Sequence, residues 1–248
     1  MASKVAGAVS AFVEMQHEFG LFTRSVHDFF ATHPDLIKAP LPIVHSVKSR
    51  VKDVDHLRRK IIRKTSTKIP ITKHNVFRRI TDLSGVRVLH LHHSQFPVIH
   101  RLLLDKVRAG DWTLSEKPIA YTWDPESARF FRDLGLRVAV KDTFYTSIHY
   151  VVRPNKRSPI ACEIQVRTLF EEIWGEIDHA LNYPEETSSV ACREQLRVLA
   201  RLVSTGTRLA DAIFSSHRDH ESKQKSALKR PARSRKLVPP SGRAPRKR

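Results

Sequence analysis

Residues 145–168 decide the fold, and they read YTSIHYVVRPNKRSPIACEIQVRT. Apolar and polar residues alternate at both ends of this stretch, which predicts strands over 147–153 and 160–166. One face of the second strand carries three polar side chains, Glu163, Gln165 and Arg167. Because such a face is costly to bury without partners, it either lines a polar cleft or lies open to solvent. The alternation alone leaves both interpretations equal.

Helical and extended segments alternate on both sides of this stretch. Apolar spacing predicts helices over 5–32, 53–68, 96–107, 124–135, 168–182 and 188–215. Runs of β-branched residues predict further strands over 41–51, 86–89, 111–120 and 137–140. Gly20 is the expected break within the first helical segment. This alternation indicates an α/β or α+β domain of about 215 residues.

Composition excludes several classes of protein. The chain has 248 residues, of which 40% are hydrophobic, enough for a sizeable core. No apolar run approaches the roughly 18 residues of a transmembrane helix, and the N-terminus lacks the pattern of a secretory signal. Cys162 and Cys192 are too few for a disulfide framework or a zinc module. We therefore expect a cytoplasmic protein with no membrane partner.

The positive charge is concentrated at the C-terminus. The formal net charge is +19, and residues 221–248 hold eleven Lys or Arg against one Glu. Pro, Ser and Gly interrupt this segment and large apolar residues are scarce, so we predict a disordered basic tail over 217–248. Such a tail attracts RNA or a ribosome without reading sequence. A tail that only keeps the protein soluble explains the composition equally well.

Two upstream segments are candidates for binding phosphate and metal. Arg50 and Lys52 point to one side of an extended segment, while Lys60 and Lys64 share a helix face. Like charges this close repel unless an anion compensates them, although a solvated basic helix is the better explanation of this segment alone. Asp82 precedes a tight turn, where a carboxylate can bind Mg²⁺ or, more often, cap the turn.

Taken together, these motifs resemble the synthetase domain of the RelA/SpoT family. The resemblance is carried by Tyr145–His149, by Glu163–Thr168 and by Trp174–His179. Arg50–Lys52, Lys60 and Asp82–Arg87 follow the order of the family upstream. The resemblance covers roughly residues 45–185. It implies an α/β (α+β) fold in which a mixed β-sheet is flanked by helices, as in nucleotidyltransferases.

The resemblance also implies an activity and a set of site residues. The family transfers pyrophosphate from ATP to the 3′-hydroxyl of GDP or GTP, which makes (p)ppGpp and AMP and requires Mg²⁺. It implies that ATP is bound by Arg50, Lys52 and Lys60. It implies that Mg²⁺ is held by Asp82 and Glu163, and that Glu163 activates the acceptor hydroxyl. It implies that the acceptor is bound by Lys141, Tyr145, His149 and His179. Gln165 and Arg167 complete the catalytic set, and Tyr145 would stack on guanine.

Several positions depart from the family pattern. Phe144 replaces the usual Gly before the tyrosine, His56 replaces a Ser, and only Arg132 and Arg137 could substitute for the usual charges of the acceptor loop. These changes leave two alternatives open, a toxin-type enzyme that pyrophosphorylates the 3′ end of tRNA and a catalytically decayed RNA-binding homologue. The sequence also leaves a homo-oligomer open.

The expected domains are an N-terminal helical segment over 1–40, the synthetase domain with its C-terminal helices over 41–216, and the tail. The remaining polar and aromatic clusters are expected to be structural. They are His90, His92 and His93 at a strand end, Trp112, Trp123 and Trp174 in the core, and Cys162 as a buried filler.

Overall fold

A seven-stranded mixed sheet is the centre of the fold. The computed structural model describes residues 2–65, 70–183 and 185–228. The strands are β1 (Ser46–Val51), β2 (Ser84–His90), β3 (Thr113–Leu114), β4 (Ile119–Thr122), β5 (Arg137–Val140), β6 (Ser147–Arg153) and β7 (Cys162–Thr168). Their order is β1-β2-β7-β6-β4-β5, with β3 paired to β6. The pairs β2–β7 and β4–β5 are parallel and the other pairs are antiparallel, so the sheet is mixed, as predicted.

Helices connect and flank these strands. They are α1 (Ala2–Glu14), α2 (Gln16–Thr32), α3 (Pro34–Ile37), α4 (Val54–Lys64), α5 (Val76–Arg79), α6 (Phe96–Arg108), α7 (Pro125–Asp133), α8 (Leu169–Asn182) and α9 (Val190–Leu228). Helix α7 begins as predicted, since Asp124 accepts a hydrogen bond from the backbone N–H of Ser127 and Pro125 occupies the first turn. A reciprocal capping pair of Thr168 and Glu171 starts α8 directly at the end of β7.

The two faces of the sheet differ in chemistry. Along β2 and β7, residues such as Val86, Val88, Ile164 and Val166 are fully buried in the main core, which also holds Phe30 of α2 and other side chains from α6 and α7. A second core joins α1, α4 and α5. Because side chains alternate along a strand, the opposite face of β2 and β7 carries the polar residues. That face forms the candidate site.

The N-terminal helices break at a different residue from the one predicted. Gly20 lies inside α2, and the break falls at Met15 instead. Phe12 and Phe19 lie on either side of the break, both fully buried and with ring centroids 5.7 Å apart. Helix α1 packs on α4 whereas α2 packs on β1 and β2, so tertiary packing, not glycine, sets the break.

The other segments follow the predictions with four corrections. The strand predicted over 111–120 is two short strands, β3 and β4, and the strand predicted from residue 41 begins at Ser46. The helix predicted over 53–68 ends at Lys64, and residues 66–69 lie outside the described residues. Disorder from residue 217 is wrong for residues 217–228, because α9 continues to Leu228; the rest of the predicted tail also lies outside the described residues.

By internal contacts the chain divides into two units, Met1–Asp211 and Ala212–Arg248. The first unit holds all seven strands, and Val26, Phe30 and Leu36 share its main core. In the second unit the described residues are helical, and Glu221 pairs with His217 and Lys225. The boundaries at residues 40 and 216 stay predictions. None of the described helices is both long enough and apolar enough to cross a membrane.

Candidate active site

The sheet register places two of the predicted site residues in one row, with a glycine between them. Arg50 on β1 pairs with Gly85 on β2, and Gly85 pairs with Glu163 on β7. A Cβ atom on Gly85 would lie 3.3 Å from the carbonyl oxygen of Glu163. Glycine therefore allows a close approach of the two strands and leaves a gap between the side chains of Arg50 and Glu163.

Two adjoining cavities open over this row. The first, which we call the basic chamber, has a volume of about 270 Å³ and is lined by Lys52, His56, Lys60, Arg63 and Tyr183, among others. The second, the carboxylate chamber, has a volume of about 200 Å³ and is lined by Lys48, Arg87, Glu163, Gln165 and Glu176, among others. Both are also lined by Arg50, Asp82 and His179. The two chambers therefore form one cleft.

Asp82 stands where the chambers meet and binds two lysines. Its Oδ2 atom accepts hydrogen bonds from Lys52 Nζ at 3.0 Å and from Lys60 Nζ at 2.5 Å. Burial raises the pKa of Asp82, but the two ammonium groups outweigh burial and lower the pKa to about 2. Asp82 is therefore ionised at neutral pH, and within the described residues no hydrogen bond or ion pair engages its Oδ1 atom.

Glu163 is the second carboxylate of the cleft. Gln165 Nε2 donates a hydrogen bond to its Oε2 atom at 2.8 Å, and His149 Nδ1 lies 3.1 Å from its Oε1 atom. Burial would raise the pKa of Glu163, but these hydrogen bonds and the charge of His149 hold the pKa below its ordinary value. Glu163 is therefore also ionised at neutral pH.

The polar side chains around Glu163 form a closed ring of hydrogen bonds. Arg167 Nη2 donates to Gln165 Oε1 at 2.6 Å and to the hydroxyl of Tyr145 at 2.8 Å. That hydroxyl lies 2.9 Å from His149 Nε2. When the imidazole of His149 is neutral, the Tyr145 hydroxyl donates to its Nε2 atom and its Nδ1–H donates to Glu163. When the imidazole is protonated, both of its N–H groups donate. The structure thus brings together five of the predicted residues in one network.

Sequence reasoning missed the residue that anchors this network. Glu172 on α8 binds three cations, with Lys48 Nζ at 3.0 Å, Arg87 Nη1 at 3.1 Å and Arg167 Nη1 at 3.2 Å. Its side chain is only 6% exposed. Burial raises the pKa of Glu172, but the hydrogen bond from Lys48 and the charges of Arg87 and Arg167 outweigh burial. The pKa of Glu172 is therefore below its ordinary value.

Gly175 makes room for this anchor. A Cβ atom on Gly175 would lie 2.8 Å from Arg167 Nη1, too close for any side chain without a shift of the arginine. The signals in the sequence were the adjacent Glu171 and Glu172 at the start of a helix and the glycine after Trp174. The three partners of Glu172 come from three different strands, so local sequence patterns do not reveal these ion pairs.

The residue before Tyr145 has an unusual backbone conformation. Phe144 has a φ angle of 61°, in the left-handed region that favours glycine, where the family usually has glycine. Its ring packs on Trp123 at 5.0 Å and belongs to a cluster with Trp174, Ala200 and Val203. We infer that packing of Phe144 offsets the backbone strain. The neighbouring Tyr145 is half-buried, with the Arg167 guanidinium 5.2 Å from its ring centroid.

Of the remaining predicted residues, His179 lines both chambers and Lys141 lines neither. Lys141 is exposed and its Nζ atom lies 4.6 Å from the ring centroid of Tyr121, which itself contacts His149. His179 stacks on Tyr183 at 4.6 Å. Arg137 lines a surface cavity together with Tyr121, whereas Arg132 is exposed on α7. Of these two substitutes for the acceptor charges, Arg137 shares a cavity with Tyr121, the residue that contacts both Lys141 and His149.

Most of the residues expected to be structural are buried, and Trp123 is the exception. His90 is buried at the end of β2, and burial lowers its pKa to about 4. His93 pairs with Glu171 at 3.2 Å and stacks on Phe130. Trp112, Trp174 and Cys162 are buried, and Trp123 is partly buried. Within the described residues, no group of three or more His, Cys, Asp or Glu is placed to hold a metal ion.

Comparison with protein families now adds to this geometry. The model of a region found in RelA and SpoT proteins matches residues 49–188, more than half of the chain. The chain belongs to the RelA/SpoT family. The matched range contains every predicted site residue, Glu172 and all the lining residues of the two chambers except Lys48. The resemblance inferred from the sequence motifs is therefore confirmed. The comparison with curated proteins finds no match.

Solved structures show the fold of this RelA/SpoT-family chain independently. The small alarmone synthetase 1 from Bacillus subtilis is 18% identical, covering 84% of this chain and 98% of its own, with a TM-score of 0.64. Its complex with the product pppGpp is 20% identical, covering 83% and 95%, with a TM-score of 0.60. Its complex with AMPCPP is 19% identical, covering 84% and 96%, with a TM-score of 0.58. The predicted fold class is confirmed.

Proposed function

We propose that this protein transfers the β,γ-pyrophosphate of ATP to the 3′-hydroxyl of GDP or GTP and releases AMP. In this reaction the bond from the β-phosphorus to the oxygen of AMP breaks, a bond from the 3′-oxygen to that phosphorus forms, and the hydroxyl loses its proton. Family membership supports the proposal. The single observation that carries it is the pair of ionised carboxylates, Asp82 and Glu163, in one cleft lined by cations.

The basic chamber suits the triphosphate of the donor. Arg50 is exposed at its mouth, and Lys52, Lys60 and Arg63 line its wall. Phosphoryl-type transfer depends chiefly on positioning and on neutralising charge, which a set of cations supplies. Lys52 and Lys60 are held in place by Asp82. A relative binds AMPCPP, an analogue of ATP, which supports the same donor here.

Asp82 and Glu163 fit a divalent cation. Both are ionised oxygen ligands lining one chamber, and Mg²⁺ is commonly bound by one or two carboxylates together with substrate phosphates and water. Both lysines bind Oδ2 of Asp82, so Oδ1 is the atom available for a metal. The metal would supply neutralisation of charge on the transferred phosphates.

Glu163 is the candidate general base. Its lowered pKa keeps the carboxylate ionised at neutral pH, so it can accept a hydrogen bond or a proton from the 3′-hydroxyl. His149 and Gln165 fix the two carboxylate oxygens. Tyr145 and Arg167 in turn hold His149 and Gln165, so the base is oriented before any substrate binds.

The acceptor would enter from the side of Tyr145 and Lys141. The half-buried ring of Tyr145 is the proposed guanine platform, and Lys141 and His179 are the proposed contacts at the cleft edge. A relative binds the product pppGpp, which supports a guanosine acceptor. The Phe144 departure affects this side of the cleft, which is why the acceptor needs a direct test.

The test supplies purified protein with γ-labelled ATP, Mg²⁺ and one acceptor at a time, namely GDP, GTP or deacylated tRNA. We expect label on GDP or GTP, and no label with Glu163→Gln. Label on tRNA alone would establish the toxin-type alternative, which the basic composition favours. No label on any acceptor, with RNA binding intact, would establish a decayed homologue. Glu194→Gln, an exposed glutamate on α9, is the matched control.

A further inference from the structure

A second group of cations lies outside the cleft. Between Asp55 and Asp82 the sequence contains nine Lys or Arg and no Asp or Glu. The part of this segment that the structure describes forms α4, the turn after residue 70 and α5. We call its exposed cations the α4–α5 basic surface, which comprises Arg58, Arg59, Arg63, Lys64, Lys73, Arg78 and Arg79.

The two helices bring these charges together. Leu57 and Ile61 of α4 and Val76 of α5 are buried in the same core, which holds the two helices close together. Burial lowers the pKa of Lys64, and the charges of Lys60 on α4 and Arg79 on α5 lower it as well. Within the described residues no carboxylate forms an ion pair with any member of the surface. Arginines elsewhere, such as Arg87 and Arg208, do have acidic partners.

This concentration of charge opposes folding. Lys60 and Lys64, and likewise Arg59 and Arg63, lie four residues apart on α4, a spacing at which like charges destabilise a helix. A nucleotide in the basic chamber would compensate only the residues that line it, Lys60 and Arg63. Arg58, Arg59, Arg78 and Arg79 line neither chamber, so a nucleotide bound there leaves their charge uncompensated.

We propose that the α4–α5 basic surface binds the phosphate backbone of RNA. An extended polyanion suits cations spread along a helix of 11 residues, about 16 Å long, and over a second helix beside it. A lipid surface fits less well, because an interfacial helix presents an apolar face to the membrane. The apolar residues Leu57 and Ile61 of α4 are instead fully buried in the core, which leaves Ile62 exposed.

The inference does not depend on the proposed function, because the four arginines outside the cleft define it. The test variant replaces them together, Arg58→Gln, Arg59→Gln, Arg78→Gln and Arg79→Gln. The control removes the same charge from four exposed arginines elsewhere, Arg24→Gln, Arg129→Gln, Arg157→Gln and Arg201→Gln. Thermal melting of each full-length variant checks that it folds.

Binding is measured by fluorescence anisotropy with a labelled single-stranded RNA of mixed sequence, at salt concentrations from about 50 to 200 mM. We expect the test variant to lose about tenfold or more in affinity at low salt. The slope of log K against the logarithm of the salt concentration should become less steep by up to about 0.7 for each phosphate contact that the variant loses. The control should change affinity by less than about threefold.

Three results would overturn the proposal. Equal loss in both variants would mean that net charge alone attracts RNA. Loss of binding to anionic phospholipid vesicles, with RNA binding unchanged, would identify a membrane surface instead. Loss of pyrophosphate transfer at saturating nucleotide in the test variant would place these arginines in the cleft. Because transfer and RNA binding are read separately, failure of this proposal is distinguishable from failure of the proposed function.

Discussion

The two chambers of the cleft are built on opposite principles. In the basic chamber the cations outnumber the acids, and one carboxylate, Asp82, pairs with both Lys52 and Lys60. In the carboxylate chamber the polar groups around Glu163 bond to one another in a closed ring, anchored by Glu172. The first chamber therefore gains from an incoming anion, whereas the second is arranged before the substrate arrives. Mutations in the basic chamber should therefore change mainly the affinity for ATP, and mutations in the carboxylate chamber should change mainly the turnover.

The largest expected effect is that of Glu163→Gln on transfer. The charge is lost at nearly constant shape, so hydroxyl activation fails and the turnover should fall at least about a hundredfold. The binding of ATP measured without Mg²⁺ should change little, because Lys52, Lys60 and Arg63 line the other chamber. Turnover on GTP and ATP affinity by calorimetry measure the two effects. Activity within a few fold of the wild type would remove Glu163 from the mechanism.

Glu172→Gln tests whether the carboxylate chamber is arranged in advance. Loss of this charge weakens three hydrogen bonds from cations and leaves the buried Arg167 poorly compensated, which should lower the free energy of unfolding by about 2 kcal/mol. Turnover should also fall with little change in ATP affinity. Urea unfolding and steady-state kinetics provide the readouts. Glu176→Gln, one turn later, 54% exposed and also bonded to Arg87, is the control and should change both quantities less.

Two variants of Tyr145 distinguish the proposed stacking of its ring on guanine from the hydrogen bonds of its hydroxyl group. If the ring is the guanine platform, Tyr145→Ala should raise the KM for the acceptor about tenfold, within the range of about 1–3 kcal/mol for stacking on a base. Tyr145→Phe keeps the ring and removes the hydroxyl from the hydrogen-bond ring, so it should reduce turnover more than acceptor binding. Identical effects of both variants on KM and turnover would show that Tyr145 is only structural.

The smallest effect is the pH dependence of the Asp82 ion pairs. The pKa of Asp82 is about 2 in the folded protein against an ordinary 3.8, so the pairs stabilise the fold above pH 3.8 and this contribution is lost as the pH falls towards 2. The stability difference between the wild type and Asp82→Asn should shrink by about 1–2 kcal/mol over that window. Asp111→Asn, which removes a half-exposed pair with Lys106, should show little change. Urea unfolding at several pH values decides the matter.

Local patterns predicted the elements that local physics determines. The strand over 147–153 was predicted at its true bounds, and the helix starts at Asp124 and Thr168 follow from their caps. The break at Met15 was missed because it depends on which surfaces α1 and α2 pack against. The continuation of α9 through residues 217–228 was missed because charge and a scarcity of apolar residues resemble disorder.

The candidate site divides in the same way. The alternation in β7 predicted the shared face of Glu163, Gln165 and Arg167, and the family resemblance supplied their proposed roles. The ring that joins them to Tyr145 and His149 depends on the antiparallel pairing of β6 with β7, which sets His149 opposite Gln165. Glu172 could not be predicted because its three partners come from β1, β2 and β7.

The most direct test of the central claim identifies the transferred group. Protein, ATP, GTP and Mg²⁺ are followed together by ³¹P NMR, with Glu163→Gln as the inactive reference. The account predicts that AMP and a guanosine nucleotide carrying a 3′-diphosphate appear in equal amounts, and that neither forms in the reference. The appearance of ADP with a monophosphorylated acceptor, or of AMP with free pyrophosphate and unchanged GTP, would contradict it.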